Sequence, residues 1–365
     1  MPTPARVVVL PKEFAPMRVE EVELPDPSGH QVVVKEFASG ICHSQLHTIH
    51  NPRAHDICLG HEATGEVLAV GELVTHVKSG DRVLLTFQPR NLRETDRMPW
   101  KAGLDLAEGG RLQSSQIFTW STHTILDDQY VIPLAPDAPV DVTAIVGCAV
   151  LTGAGAVLRA AAVQPGQSVA IWGVGGVGLN AVAAARMSGA NPIIAVDMDD
   201  EKLELATRFG ATHVVNATHQ DPTEVIRSLT PGPAGAFGYG GSPIAGVDFA
   251  FDVVARPATF LQAFRSTRNS RNAVHGGGTT VVVGVPQAPF ELPAIELLMN
   301  ERHVQGTLGG TAVPEEDIPR FVAWYQNGDL DLDALVTSRV GIDEINEACK
   351  MLDEGKVLGR SIIEF

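Results

Sequence analysis

The feature that most constrains this chain is a glycine-rich turn between a short apolar run and a helix-like segment. Ser168–Trp172 reads as a buried strand and Val177–Met187 as a helix, and Gly173-Val-Gly175-Gly176-Val177-Gly178 lies at their junction. In that setting each glycine has a physical task. Gly173 permits a tight turn, Gly175 lets the backbone approach a pyrophosphate, and Gly178 lets helix and strand pack closely. Gly176 and Val177 sit where the helix N-terminus offers unpaired N–H groups to a phosphate. The next apolar run, Pro192–Val196, leads into Asp197. A carboxylate there accepts hydrogen bonds from both hydroxyls of an adenosine ribose and repels a 2′-phosphate, so NAD is expected over NADP. Lys202 is placed to close over the ribose edge.

The same alternation continues. Asp199–Phe209 reads as a helix, His213–Asn216 as a strand, and Val247–Val253 and Thr279–Val285 as further strands. Strands alternating with helices imply βαβ units and a doubly wound parallel sheet, an α/β fold. Thr230–Gly246, rich in Gly and Pro, reads as a surface loop, and Arg265–Arg271 as a local basic run. The first third has a different texture. Arg6–Leu10, Gln31–Glu36, Gly65–Val70 and Arg82–Phe87 are short Val- and Leu-rich runs separated by turn residues, which predicts an antiparallel or barrel-like β domain. The change comes near Pro139, where an Ala- and Gly-rich segment, helical in part, runs to Val163. Helix signals return at Glu315–Gln326 and Ile345–Leu352, and Ser361–Phe365 closes the chain as a strand. A length of 365 residues agrees with two domains.

Charge narrows the partners. With 27 Lys and Arg against 43 Asp and Glu the net charge is −16, which disfavours nucleic acid and anionic membranes. No apolar run approaches the roughly 20 residues needed to cross a bilayer, and the first residues lack the apolar stretch of a signal peptide. A cytoplasmic protein is expected. Four cysteines are too few and too scattered for a disulfide framework.

Their neighbours carry more weight. Cys42, His61 and Cys148 make a Cys2His set: thiolate and imidazole suit Zn2+, and three protein ligands leave a fourth position for chemistry. Cys58 and Cys349 read as buried small hydrophobes, and His213, His219 and His303 as ordinary surface or core residues.

With these residues the chain resembles the zinc-dependent alcohol dehydrogenases of the medium-chain dehydrogenase/reductase superfamily, over essentially its whole length. Gly60-His61-Glu62, Gly65, Gly71 and Val74 match the family's zinc signature. Gly147-Cys148 through Thr152-Gly153 resembles its third-ligand segment, and Val247-Asp248 and Val283-Gly284-Val285-Pro286 its later strands. The Cys2His set is that family's own zinc arrangement. The resemblance implies a GroES-like, β-rich catalytic domain from residues 1–149 and 310–365, a Rossmann domain from 150–309, and an active site in the cleft between them. It implies one catalytic zinc per subunit. Many relatives bind a structural zinc through four cysteines after the strand equivalent to Arg82–Phe87, but residues 89–113 contain no cysteine. That lobe is expected to be held by packing around Trp100 and Leu104.

Roles follow by the same resemblance. Ser44 is expected to hydrogen-bond the substrate oxygen and His47 to pass the proton to solvent. Glu62 stands behind the metal as an electrostatic support. His43 and Arg360 are expected at the pyrophosphate, Thr152 near the nicotinamide, and Val283 and Val285 among the cofactor-binding residues. Phe87, with Leu46 and Trp120, is expected to line an apolar substrate pocket. Gln45 stands where relatives carry Asp, and its carbonyl is expected to accept from His61, leaving the zinc more Lewis acidic. The function implied is NAD-linked interconversion of an apolar primary or secondary alcohol and its aldehyde or ketone. Because polyol-active relatives generally replace the third cysteine, Cys148 argues against a sugar alcohol. A metal-free quinone or enone reductase and a non-catalytic NAD-binding protein are the alternatives. A homo-oligomer is implied, built along a sheet edge such as Thr279–Val285, with a tetramer favoured by the short Cys42–Cys148 segment.

Overall fold

A computed structural model describes residues 2–91, 95–105, 111–270 and 276–365. The chain divides into two units, Met1–Ala149 with Val313–Phe365, and Val150–Ala312. Arg271, the last residue of the basic run, lies outside the described residues.

The strand Thr3–Leu10 shows how the first unit is built. Successive side chains point to opposite faces of a strand. Val7 and Val9 join Leu104, Leu112 and Phe118 in one apolar cluster, while Val8 and Leu10 join Ile41, Trp120 and Ile363 in another. Both faces are buried, which is why the segment reads as a continuous apolar run. Each such side chain contributes roughly 1.5–3 kcal/mol of burial free energy. Thr3–Leu10 pairs antiparallel with Arg18–Leu24 in a five-stranded sheet.

A second, seven-stranded sheet centres on the long strand Gln31–Ile41. It runs antiparallel to Glu62–Val70, to His123–Asp127 and, at its far end, to Arg360–Glu364. Two register shifts opposite Glu62–Val70, between Val33 and Val34 and between Glu36 and Ala38, increase its twist. The pairing of Ser361 with Ile41 brings the end of the chain beside the segment that opens the helix His43–His50. The β-rich first domain expected from the sequence is therefore present.

The cysteine-free lobe after the Arg82–Thr86 strand is held partly by the expected packing: Ala102, Leu104 and Leu112 are buried, with Trp100 half-buried against them. It is also clamped by charge. Arg97 donates to both carboxylate oxygens of Asp127, at 2.6 and 2.9 Å, and also to Asp128, while the Trp100 backbone N–H donates to Asp127 at 2.8 Å.

The second unit holds a six-stranded sheet ordered His213–Asn216, Ile193–Asp197, Val169–Trp172, Phe249–Asp252, Thr279–Val282, His303–Gly306, with every pairing parallel. Numbered along the chain this is 3-2-1-4-5-6, the Rossmann order. Local signals end its elements where the sequence indicates. Asp199 caps the helix Asp200–Phe209 by accepting from the N–H groups of Glu201 and Lys202, and Gly210, at φ +116°, terminates it. One expectation is corrected: Thr279–Val282 has a strand on either side, so it is interior, and the edge strands are His303–Gly306 beside it and His213–Asn216 at the far side. The Ala- and Gly-rich segment is a short helix, Ala149–Gly155, followed by a wider turn over Ala156–Ala160. Among the described residues no helix is long and apolar enough to cross a membrane.

Candidate metal centre and nucleotide site

Three separate local structures deliver the metal-ligating side chains. Cys42 is the N-cap of the helix His43–His50, immediately after the Gln31–Ile41 strand. His61 precedes the Glu62–Val70 strand, and Cys148 follows the short helical turn Val142–Gly147. All four cysteines are free and buried. One ligand atom from each of Cys42, His61, Glu62 and Cys148 lies within 4.8 Å of the others.

The spacing inside this cluster tests whether a zinc ion fits. Cys42 Sγ and Cys148 Sγ are 3.8 Å apart, and His61 Nε2 is 3.3 Å from Cys148 Sγ. Two Zn–S bonds of about 2.3 Å at a tetrahedral angle span about 3.8 Å, and a Zn–S with a Zn–N bond of about 2.0–2.1 Å spans about 3.5 Å. Both distances are close to the edges of a tetrahedral zinc site. The Cys42 thiol is held well below the ordinary thiol range by its hydrogen bond with Cys148, and then by Arg360 and His61, against the opposing effect of burial. A thiol biased to its thiolate is the form that binds metal. Cys58 and Cys349 behave oppositely. Both sit in the apolar core, where burial raises their thiols, Cys349 to about 12.

Glu62 is wholly buried and both its oxygens are occupied: Oε1 by the Arg360 guanidinium, Oε2 by the Ala149 N–H at 3.3 Å. This corrects the expected phosphate role of Arg360. Its side chain is buried and faces Glu62, because the Arg360–Glu364 strand lies against Gln31–Ile41, next to Glu62–Val70. No local signal could have revealed the pair, since its members are 298 positions apart.

Two pocket candidates are also corrected. Trp120 is inaccessible and its indole N–H donates to the Gly40 carbonyl at 3.1 Å; Leu46 is buried in the same cluster as Trp120, Val8 and Ile363. Both are core residues. Phe87 does flank the cluster, its ring 5.5 Å from that of His61 in an edge-on arrangement.

Ser44 and His47, half-buried, stand three residues apart on the His43–His50 helix and so share a face. The Ser44 hydroxyl donates to Cys42 Sγ at 3.3 Å. His43 opens the helix and is exposed. Gln45 departs from expectation. Its carbonyl accepts from the Gly60 N–H at 3.0 Å, and it is the amide nitrogen that lies 2.5 Å from His61 Nδ1.

In the second unit, the glycine-rich turn follows the buried strand Val169–Trp172 and opens the helix Gly176–Met187. Gly173 takes φ +83°, and Gly178 lies so close to the Gly173 carbonyl that a side chain there has no room. Gly175 faces open space instead, leaving its backbone accessible. Asp197 ends the neighbouring strand and accepts from the Val174 N–H at 2.9 Å, beside the turn. Val283 and Val285 follow the Thr279–Val282 strand, so they too lie at carboxyl ends of the parallel strands, the edge where nucleotides bind. Lys202 is half-buried in the helix Asp200–Phe209, and Thr152 half-buried in Ala149–Gly155. An accessible glycine turn, a helix N-terminus without acidic residues and a carboxylate beside it fit a dinucleotide.

Two family models match the chain: "Alcohol dehydrogenase GroES-like domain" over residues 28–136 and "Zinc-binding dehydrogenase" over residues 176–327. The chain is 32% identical to alcohol dehydrogenase-like 5 of Arabidopsis thaliana, over 98% of this chain and 95% of that protein. It is 31% identical to S-(hydroxymethyl)glutathione dehydrogenase of Paracoccus denitrificans, over 98% and 99%. Among solved structures it resembles a zinc-binding-domain alcohol dehydrogenase from Burkholderia ambifaria (TM-score 0.86, 29% identity, 100% of both chains). It also resembles benzyl alcohol dehydrogenase from Acinetobacter calcoaceticus (TM-score 0.84, 28% identity, 100% and 99%). The chain belongs to the zinc-type alcohol dehydrogenases of the medium-chain superfamily.

Proposed function

We propose that this zinc-type alcohol dehydrogenase interconverts an apolar primary or secondary alcohol and its carbonyl product with NAD as hydride carrier. The observation that carries the reading is the close spacing of Cys42, His61 and Cys148, two buried thiols and a half-buried imidazole at distances that suit a tetrahedral ion, a set that a metal-free reductase does not need. Zinc held by Cys42, His61 and Cys148 would supply Lewis acidity, and NAD held at the glycine-rich turn would supply the hydride acceptor. The residues of the chain do the rest. Ser44 is placed to exchange its bond to Cys42 for one to the substrate hydroxyl, and His47, on the same helix face, carries the proton onward to solvent. Glu62, fixed by Arg360, holds negative charge behind the ligands. Phe87 offers an apolar wall beside His61, which favours an aromatic or aliphatic alcohol. Asp197 favours NAD over NADP by charge.

We also infer a homo-oligomer. The edge strand His303–Gly306 and the neighbouring helix Ala294–Met299, none of whose residues is buried, expose Leu292, Ile295, Leu298, Val304 and Leu308. Exposed apolar side chains at and near a sheet edge suit an interface, and the short Cys42–Cys148 segment favours a tetramer. Four free thiols suit a reducing compartment such as the cytoplasm.

The test is elemental analysis of the purified chain followed by an NAD-coupled screen of alcohols. About one zinc per chain with NAD reduction by benzyl or branched alcohols supports the proposal. A zinc-free chain that reduces enones or quinones would replace it.

A further inference from the structure

Gln45 lies between the Gly60 N–H and the His61 ring, and its amide as placed serves both only while His61 Nδ1 carries no hydrogen. Its carbonyl takes the Gly60 N–H at 3.0 Å, and its amide nitrogen stands 2.5 Å from His61 Nδ1. Both Gln45 and Gly60 are buried, so water cannot substitute readily for either bond. An amide nitrogen only donates. With the amide so placed His61 Nδ1 can serve only as acceptor, which leaves the hydrogen of the neutral ring to Nε2, 3.3 Å from Cys148 Sγ. Ligation of a metal through Nε2 demands the other arrangement, with the hydrogen on Nδ1. Nδ1–H would then face a second donor. Turning the amide over would give His61 its acceptor, but would set the amide nitrogen against the Gly60 N–H.

We propose that Gln45 is a positioning residue that opposes metal uptake by selecting the wrong tautomer of His61. Zinc loading requires the amide to turn and the Gly60 hydrogen bond to be given up. This inference rests on the zinc reading above and deepens it: the side chain at position 45 sets how tightly the centre holds zinc. A carboxylate of the same length resolves the conflict, because its two oxygens accept from Gly60 and from His61 Nδ1–H at once.

The test titrates zinc against a chromophoric chelator with the purified chain and its Gln45→Glu variant, alongside 15N spectra of the imidazole rings. The variant is expected to hold zinc about 10–100-fold more tightly. In the metal-free parent, His61 should carry its hydrogen on Nε2 and transfer it to Nδ1 when zinc is added. Equal or weaker zinc binding by a folded variant overturns the Gln45 inference and leaves the zinc reading intact. If the variant does not fold, the spectra of the parent decide, and a metal-free His61 protonated on Nδ1 overturns the inference. Failure of both proteins to take up zinc overturns the inference and the zinc reading together.

Discussion

Arg360 and Glu62 form a buried ion pair directly behind the metal-ligand cluster, their side chains 6% and 0% exposed. The pair links the last strand of the chain to the strand that follows His61. Glu62, wholly buried, thereby has a cation beside one carboxylate oxygen, and its second oxygen is taken by the Ala149 N–H, one residue beyond Cys148.

Removing one partner should cost more than removing both. Arg360→Met leaves an uncompensated buried carboxylate, expected to destabilise the fold by about 3–5 kcal/mol. Adding Glu62→Gln to that variant should restore much of the loss. Urea unfolding of the two single variants and the double variant measures the coupling, and additive losses would contradict it.

Cys148→Ser is expected to remove zinc and to lower NAD-coupled turnover by roughly a thousand-fold, since the Lewis acid contributes several kcal/mol. Cys58→Ser alters neither zinc content nor the pH–rate profile, though it costs stability, because Cys58 lies in the apolar core away from the ligands. Zinc per chain and turnover, measured on both variants, check this.

Asp197→Asn keeps an acceptor for the Val174 N–H and removes the charge. Like-charge repulsion against a 2′-phosphate costs several kcal/mol, so NADP use should rise by roughly 10–100-fold in kcat/KM relative to NAD. An unchanged ratio would place cofactor choice elsewhere.

Glu36 gives a pH dependence with a definite sign. It is buried, among the described residues only the Ser121 hydroxyl donates to its carboxyl, and burial raises that carboxyl well above the usual range. Below the unfolded value of about 4.3 both states are protonated and nothing is lost. As pH rises further the unfolded chain ionises while the native chain holds its proton, so native stability falls until the native carboxyl titrates. Glu36→Gln removes this slope. Parent and variant should converge in acid, and the variant should be the more stable at neutral pH, as unfolding at a series of pH values would reveal.

Arg97→Ala should loosen the cysteine-free lobe. Asp127 would keep its bonds from the Trp100 and Gln129 N–H groups but lose its cation, at a cost of about 1–3 kcal/mol. Limited proteolysis should then cut preferentially between residues 89 and 113. A lobe held by packing alone would show no change.

What could be read from the sequence was carried by neighbours along the chain. Val7 to Leu10 announce a strand, Gly173 to Gly178 a phosphate turn, and Asp199 and Gly210 the two ends of a helix, because each signal acts within a few residues of backbone. Cys42, His61 and Cys148 were legible from residue type, since few other uses need two thiolates and an imidazole in such a setting. Tertiary structure alone decided the rest. Thr279–Val282 looks as apolar as an edge or an interior strand would, and only the strand order puts His303–Gly306 outside it. Leu46 and Trp120 became core residues because strands from both ends of the chain close over them. Arg360 met Glu62, and Gln45 turned its carbonyl to Gly60, through hydrogen bonds whose partners are fixed by distance in space. A buried polar group takes whichever partner the fold brings within reach, and that choice is not written in its neighbours.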